Sequence, residues 1–488
     1  MIDAPHSALL CEITKHAATT PDKVALVDGD CAVTYSQLLD HVRQAACFMQ
    51  SQGLKHGDRI VLTAQKELPF VYDYLAAHLL GVVNVVVDAA SPRDRLDYII
   101  GVVKPAAIFG NGTPDITGIP CYDFQKQDFT CGAALELPRL TADDVADVMF
   151  TTGTTGAPKG VCLSHANIAG SAGNTNGFIG MTDHEVEALA LPLSHSFGLG
   201  RLRCVLMAGS TLVLVSNFAN LKSFFTVLDS YHATGFGMVP AVWQYIKRLS
   251  GRRIARFADQ IRYIEIGSAP LPIEDKRLLL EIFPNTRLCM HYGLTEASRA
   301  MFSEFHANVD NLETVGRPAS PLVEACVLDD EGNALADGVD GEICISGNMV
   351  TRSYFNPDDN KASFHGKWFR TGDWGHRGSD GNFYLTGRKK ELINVGGEKV
   401  SPATIEDAIC SLGYIADCAC IAVPDANGVL GEVPKAYLVP KGERVDIEVI
   451  KGELAHLLPP HELPVQWEWI DRIPRTASGK IQRLKLKQ

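Results

Sequence analysis

Strand-like and helix-like signals alternate through the first half of the chain, and this alternation restricts the fold more than any other feature. Thr34 and Gln37 have the spacing of a capping box, and Leu38, Leu39, Val42, Ala45, Ala46 and Met49 follow at helical period until Gly53. Residues 59–63 then read as a strand, 70–80 as a helix and 82–87 as a β-branched strand. Ser91 and Pro92 supply a cap and a first-turn proline for another helix, with 106–109 as its returning strand, and similar pairs recur around 188–248 and 261–290. Such alternation predicts α/β layers with mainly parallel strands. From about 313 to 387 the pattern changes to short strands, such as 342–345 and 382–385, set between Asp/Gly turns. Beyond Arg388, a helix over 402–412, strands over 418–423 and 435–439, and a final helix over 446–458 make a compact α+β unit. The expected architecture is a large N-terminal domain, residues 1–388, of two α/β layered subdomains plus a small β-barrel, followed by a small α+β C-terminal domain, residues 389–488.

Composition narrows the function classes. With 488 residues the chain is long enough to bury a large core without disulfides or a structural metal. Its formal net charge of −12 argues against bulk binding to nucleic acid or an anionic membrane. The longest apolar stretch, 75–87, is interrupted by His78 and Asn84 and is too short to span a bilayer. Thirteen cysteines without a C-x-x-C, and an N-terminus without a basic leader, fit a reduced, cytoplasmic protein. Cys418 and Cys420 fall in an apolar run and are expected to be buried strand residues.

The segment from Phe150 to Gly160 carries the most chemistry. It follows a strand-like run, 145–150, and precedes Ser164 and His165, which can open a helix. Thr151, Thr152, Gly153, Thr154, Thr155 and Gly156 combine hydroxyl donors with glycines whose backbone amides can converge on an anion, and Lys159 adds a point charge. The spacing is not that of a Walker A loop. A Thr/Gly cluster alone reads more readily as a plain flexible connection, because loops of this composition are common.

Five further segments follow in order: Tyr292-Gly-Leu-Thr-Glu-Ala297, Phe369-Arg-Thr-Gly-Asp373, Gly387-Arg-Lys-Lys-Glu391, Gly396-Gly-Glu-Lys-Val-Ser-Pro402 and Pro474-Arg-Thr-Ala-Ser-Gly-Lys480. With these the chain resembles the adenylate-forming superfamily, which includes acyl- and aryl-CoA ligases, peptide-synthetase adenylation domains and beetle luciferases, and it looks most like stand-alone acyl-CoA ligases. The resemblance implies that a carboxylate attacks the α-phosphate of ATP, releasing pyrophosphate and leaving an acyl-adenylate that is passed to a thiol.

It also implies residue roles. The Thr151–Lys159 loop would cradle the β- and γ-phosphates, Thr154 and Glu296 would hold Mg²⁺, and Thr295 would donate to the α-phosphate. Gly267, Ser268, Ala269 and Pro270 resemble the segment flanking adenine, and Tyr292, Gly293 and Leu294 belong to the same nucleotide site. Asp373 would bind the ribose hydroxyls and Arg388 the ribose or phosphate. Lys480 would bridge the substrate carboxylate and the α-phosphate. Lys390 would be the hinge of a mobile C-terminal domain, and Gly396 and Gly397 would lie against the pantetheine arm of the thiol. Taken singly, several of these have plainer readings: Thr295 and Glu296 as a helix cap, Asp373 as a turn residue, Lys480 as one of six basic residues in a solvated tail.

The substrate is less defined. Residues 191–199 resemble the segment lining the acyl pocket, where His195 would gate the carboxylate site. Gly198 stands where amino-acid-activating relatives place an Asp after the aromatic, which speaks against an α-amino acid. Arg201 and Arg203 are available to read a second anionic group, although helical arginines usually face solvent. With eight residues following Lys480, no fused carrier domain is expected, and the expected acceptor is coenzyme A or a separate carrier protein. The expected ligands are therefore ATP, Mg²⁺, a small-molecule carboxylic acid and coenzyme A. The alternatives are a ligase that loads a free-standing carrier protein, and a non-catalytic acyl-AMP- or nucleotide-binding regulator.

Overall fold

The computed structural model describes residues 7–111, 118–126, 135–151, 158–475 and 481–486. These form two compact units, one comprising residues 1–312, 316–324 and 345–369, the other 313–315, 325–344 and 370–488.

The first unit contains two sheets of the expected α/β kind. In the nine-stranded sheet, Val24–Asp28, Thr211–Leu214, Val186–Leu189, Gly235–Met238, Tyr263–Ile266 and Arg287–Tyr292 lie parallel in that spatial order. Antiparallel strands close both edges. The seven-stranded sheet is built on Arg59–Ala64, Val83–Asp88, Ala107–Phe109 and Val145–Thr151, again parallel, and then reverses through Lys159–Ser164 and Ser353–Tyr354. Parallel strands need crossover helices on their faces, which is why the apolar runs in this half are nearly continuous: Ile60, Val61, Leu62, Val85, Val86 and Val148 are all buried.

Local chemistry sets the element boundaries. Thr34 caps the helix Tyr35–Ser51 in the expected box with Gln37, and Ser164 does the same for His165–Ile179 with Asn167. The helix Arg93–Val103 begins one residue later than expected: Pro92 occupies the cap position and no side chain caps it, so Ser91 does not perform that task.

The sheet of Val323–Leu328, Gly341–Gly347, Trp368–Arg377 and Phe383–Arg388 is the small β structure expected at the end of the large N-terminal domain, but residues 325–344 and 370–388 of it group with the second unit. In the second unit, Ile415–Pro424 and Glu432–Pro440 pair antiparallel and pack against the helices Pro402–Ser411 and Ile447–Leu454. Ile405, Ile409, Cys418, Cys420, Leu438, Ile450 and Leu454 form that core. The final helix is shorter than expected, and a third strand, Gln466–Trp469, runs parallel to Glu432–Pro440. Among the described residues no helix is long and apolar enough to cross a membrane, and every cysteine is a free thiol.

Candidate active site

In the first unit the Thr/Gly segment is the connection of an antiparallel hairpin. Thr151 pairs with Lys159 and Phe150 with Gly160, so both ends of the segment are pinned in register. Thr152, Gly153, Thr154, Thr155 and Gly156 lie outside the described residues. The Lys159 ammonium pairs with Asp359 at 2.9 Å and rests over the Tyr354 ring, 5.2 Å from its centroid.

Tyr292 ends the strand Arg287–Tyr292, and the chain then turns sharply. Leu294 and Ala297 exchange both backbone hydrogen bonds at 3.2 Å, which places Thr295 and Glu296 at the tip of the turn. The pair therefore caps no helix. A Cβ on Gly293 would come within 2.5 Å of the Arg299 nitrogen and 2.7 Å of the Ala297 oxygen, so the turn admits only glycine there. Glu296 is buried, and its Oε1 accepts a 2.8 Å hydrogen bond from the Tyr354 hydroxyl. Burial, with Glu296 adding to it, pushes the Tyr354 phenol well above its ordinary range, so it remains a donor.

Gly267 follows the strand Tyr263–Ile266 and is buried, whereas Ser268 and Pro270 are exposed and Ala269 half-buried. Ser268 has φ +78°, a strained value for a residue with a side chain and one found most often at functional turns. A side chain on Gly267 would collide with the His291 ring. His195 is exposed and contributes its backbone, not its side chain, to capping the helix Ser196–Ala208.

Arg201 and Arg203 are fully or nearly buried and face neither solvent nor an open anion site. Arg201 donates to Glu187 and, at 2.9 Å, to Glu265, while Glu265 also pairs with Arg299 at 2.7 Å and with His291 at 2.6 Å. The guanidinium groups of Arg299 and Arg201, with the His291 hydrogen bond, outweigh the burial that opposes ionisation and hold the Glu265 carboxyl far below its usual range. Arg203 is paired with Asp147 and Tyr74. Both arginines are thus consumed by internal carboxylates, and neither is available for a second acidic group on a substrate. Arg299 also donates to the Phe197 carbonyl at 2.8 Å, fixing the start of the same helix.

In the second unit Asp373 and Arg388 stand opposite one another across the antiparallel pair Trp368–Arg377 and Phe383–Arg388, with Arg388 Nε 2.6 Å from Asp373 Oδ1. Asp373 is buried, and its backbone N–H donates to Thr371 Oγ1. Lys389 is held by Asp330 and Glu342, and the next residue, Lys390, is exposed. Gly396 and Gly397 form the turn of the hairpin Ile393–Val395 and Glu398–Val400, with φ of +60° and +100°. Both are exposed; a Cβ on Gly397 would meet nothing, so backbone conformation rather than space explains that glycine. Lys480 lies outside the described residues.

Residues 13–355 match the family of AMP-binding enzymes, and residues 404–480 match the AMP-binding enzyme C-terminal domain. The chain belongs to the AMP-binding enzyme family. It is 30% identical over 486 residues to a 2-succinylbenzoate–CoA ligase of Bacillus licheniformis, covering 97% of this chain and 98% of the relative. Its fold is similar to o-succinylbenzoate CoA synthetase from Bacillus subtilis in complex with its acyl-adenylate intermediate, with a TM-score of 0.87, 26% identity and 98% of each chain covered. ATP-bound MatB from Rhodopseudomonas palustris is similar too, at a TM-score of 0.88, 25% identity and 97% of each chain.

The donor set of this AMP-binding enzyme suits magnesium. Among the described residues no group of three or more His, Cys, Asp or Glu could hold a metal by itself. A single oriented carboxylate, Glu296, is the arrangement Mg²⁺ uses when substrate phosphates and waters complete its shell. Sequence reasoning missed Tyr354, Asp359, His291, Glu265 and Arg299. Nothing in the sequence adjacent to Tyr354 marks it, because its partners Glu296 and Lys159 are distant along the chain.

Proposed function

We propose that this enzyme is an AMP-forming acid–thiol ligase that activates a carboxylic acid with ATP and passes the acyl group to coenzyme A. In the first half-reaction a carboxylate oxygen attacks the α-phosphorus, the bond to the bridging oxygen of the β-phosphate breaks, and pyrophosphate leaves. In the second, the thiol sulfur attacks the acyl carbon and AMP departs. The observation that carries the reading is in the first unit: a lysine at the end of a Thr/Gly hairpin and a buried, oriented carboxylate are joined through one tyrosine, which provides a cation for phosphates beside a ligand for their magnesium. Magnesium, when bound, neutralises phosphate charge and so eases the meeting of two anions.

Within that scheme, Thr151–Gly156 and Lys159 hold the β- and γ-phosphates, Glu296 with Thr154 would hold Mg²⁺, and Thr295 donates to the α-phosphate. Gly267–Pro270 and Tyr292–Leu294 line the adenine, while Asp373, oriented by Arg388, accepts from the ribose hydroxyls. Lys480 bridges the carboxylate and the α-phosphate, and His195 gates the acid's entry. For the second half-reaction, residues 389–488 swing about Lys390 and present Gly396 and Gly397 to the pantetheine arm. The CoA acceptor is supported by the named activities of the relatives. A cytoplasmic setting agrees with the free thiols of the described residues.

The test is a panel of aromatic, aliphatic and dicarboxylic acids incubated with ATP and Mg²⁺, read as pyrophosphate release with hydroxylamine or coenzyme A as acceptor. At least one acid should release pyrophosphate and yield a hydroxamate or a CoA thioester. No acid-dependent pyrophosphate across the panel would refute the reading.

A further inference from the structure

Tyr354 touches both charged groups assigned to the phosphates and their magnesium, Lys159 with its ring and Glu296 with its hydroxyl. It sits on the edge strand Ser353–Tyr354, which pairs antiparallel with Lys159–Ser164 in the register Tyr354 to Val161, and so is fixed to the strand that carries Lys159. Its backbone N–H donates to Asn360 Oδ1 at 2.8 Å, closing the loop that also carries Asp359. The phenol is buried, its hydroxyl donates to Glu296 Oε1, and its ring faces the Lys159 ammonium. The hydrogen bond commits Oε1 and thereby sets the direction of Oε2. Asp359, in turn, pairs with the Lys159 ammonium, the same group that would meet the phosphates.

We propose that Tyr354 is a positioning residue for magnesium, aiming the Glu296 carboxylate through its hydroxyl, while Asp359 holds Lys159 aside until the phosphates arrive. The proposal rests on the reading of Glu296 as the magnesium ligand. Groups that hydrogen-bond a ligating carboxylate fix its orientation, and their loss typically weakens metal affinity 10- to 100-fold. An ammonium already paired with a carboxylate must exchange that partner for phosphate, so the Asp359 pair should weaken ATP binding whether or not magnesium is present.

The two roles separate in a binding experiment on the full chain. ATP affinity is measured by calorimetry with saturating Mg²⁺ and again with EDTA, for the wild type and for Tyr354→Phe, Asp359→Asn and Glu296→Gln. Tyr354→Phe keeps the ring over Lys159 and removes only the hydroxyl; it should weaken Mg²⁺-dependent ATP binding about tenfold and leave binding in EDTA unchanged. Asp359→Asn should tighten ATP to the same extent in both conditions. If Tyr354→Phe does not fold, Asn360→Ala, which releases the Tyr354 backbone, should give a smaller loss in the same direction, confined to Mg²⁺. Equal weakening with and without Mg²⁺, or no change, overturns the positioning role. If Glu296→Gln leaves the Mg²⁺ dependence intact, the assignment of Glu296 itself fails; if Glu296→Gln abolishes it and Tyr354→Phe does not alter it, only the inference about Tyr354 fails.

Discussion

Arg388 Nε lies 2.6 Å from Oδ1 of Asp373, directly across two antiparallel strands, so the buried carboxylate is paired and oriented by the sheet itself. A carboxylate held this way can accept from a diol without reorganising. Asp373→Asn removes the charge while keeping the shape, and a charge-assisted hydrogen bond contributes about 1.5–3 kcal/mol. The KM for ATP should therefore rise about tenfold or more, measured by pyrophosphate release at saturating acid. An unchanged KM would remove Asp373 from the nucleotide site.

Lys480→Ala should separate the half-reactions. Loss of a cation that bridges two reacting anions costs roughly 3 kcal/mol or more of transition-state stabilisation, a hundredfold or greater in rate. Adenylation should collapse, while CoA thioester formation from chemically supplied acyl-adenylate should survive. Equal loss in both assays would contradict the role.

Much of this was legible in the sequence, because short-range chemistry decides it. The Thr34 and Ser164 caps depend on a partner three residues away, and the strands of the parallel sheets depend on unbroken apolar runs. The illegible parts depend on partners distant in the chain. Gln466–Trp469 alternates polar and aromatic residues and becomes a strand only through its pairing with Glu432–Pro440. Arg201 and Arg203 look like solvent-facing helical arginines until Glu187, Glu265 and Asp147 are brought to them from separate strands. Tyr354 acquires meaning only beside Glu296.

The buried network around Glu265 should behave as structure. Removing one member leaves an uncompensated charge in the interior, which costs about 3–5 kcal/mol. Arg201→Met should therefore lower the denaturation midpoint of the first unit substantially. If the variant retains wild-type stability in urea titration, the network is not what holds Glu187 and Glu265 in place.

Acid should destabilise the same unit through His165 and Asp147. Burial, assisted by the neighbouring His78, pushes the His165 imidazole down to about 3, and its Nε2 has no hydrogen-bond partner among the described residues. Asp147 is held down at about 2 because Arg203 and His78 overcome the burial that opposes its ionisation. Both groups bind protons more readily in the unfolded chain, so stability falls as pH drops below about 6.5 and falls faster below about 4. His165→Gln should flatten the upper part of that decline in thermal melts taken from pH 7 to 4. An identical profile for the variant would exclude His165 as its source.

The central claim is that the acid's own oxygen attacks the α-phosphate. It is tested most directly by supplying an accepted acid labelled with oxygen-18 in its carboxylate, together with ATP, Mg²⁺ and coenzyme A, and weighing the nucleotide product by mass spectrometry. An acyl-adenylate leaves one labelled oxygen on AMP when the thioester forms. Unlabelled AMP, or label appearing in inorganic phosphate with ADP as the nucleotide, would contradict the mechanism.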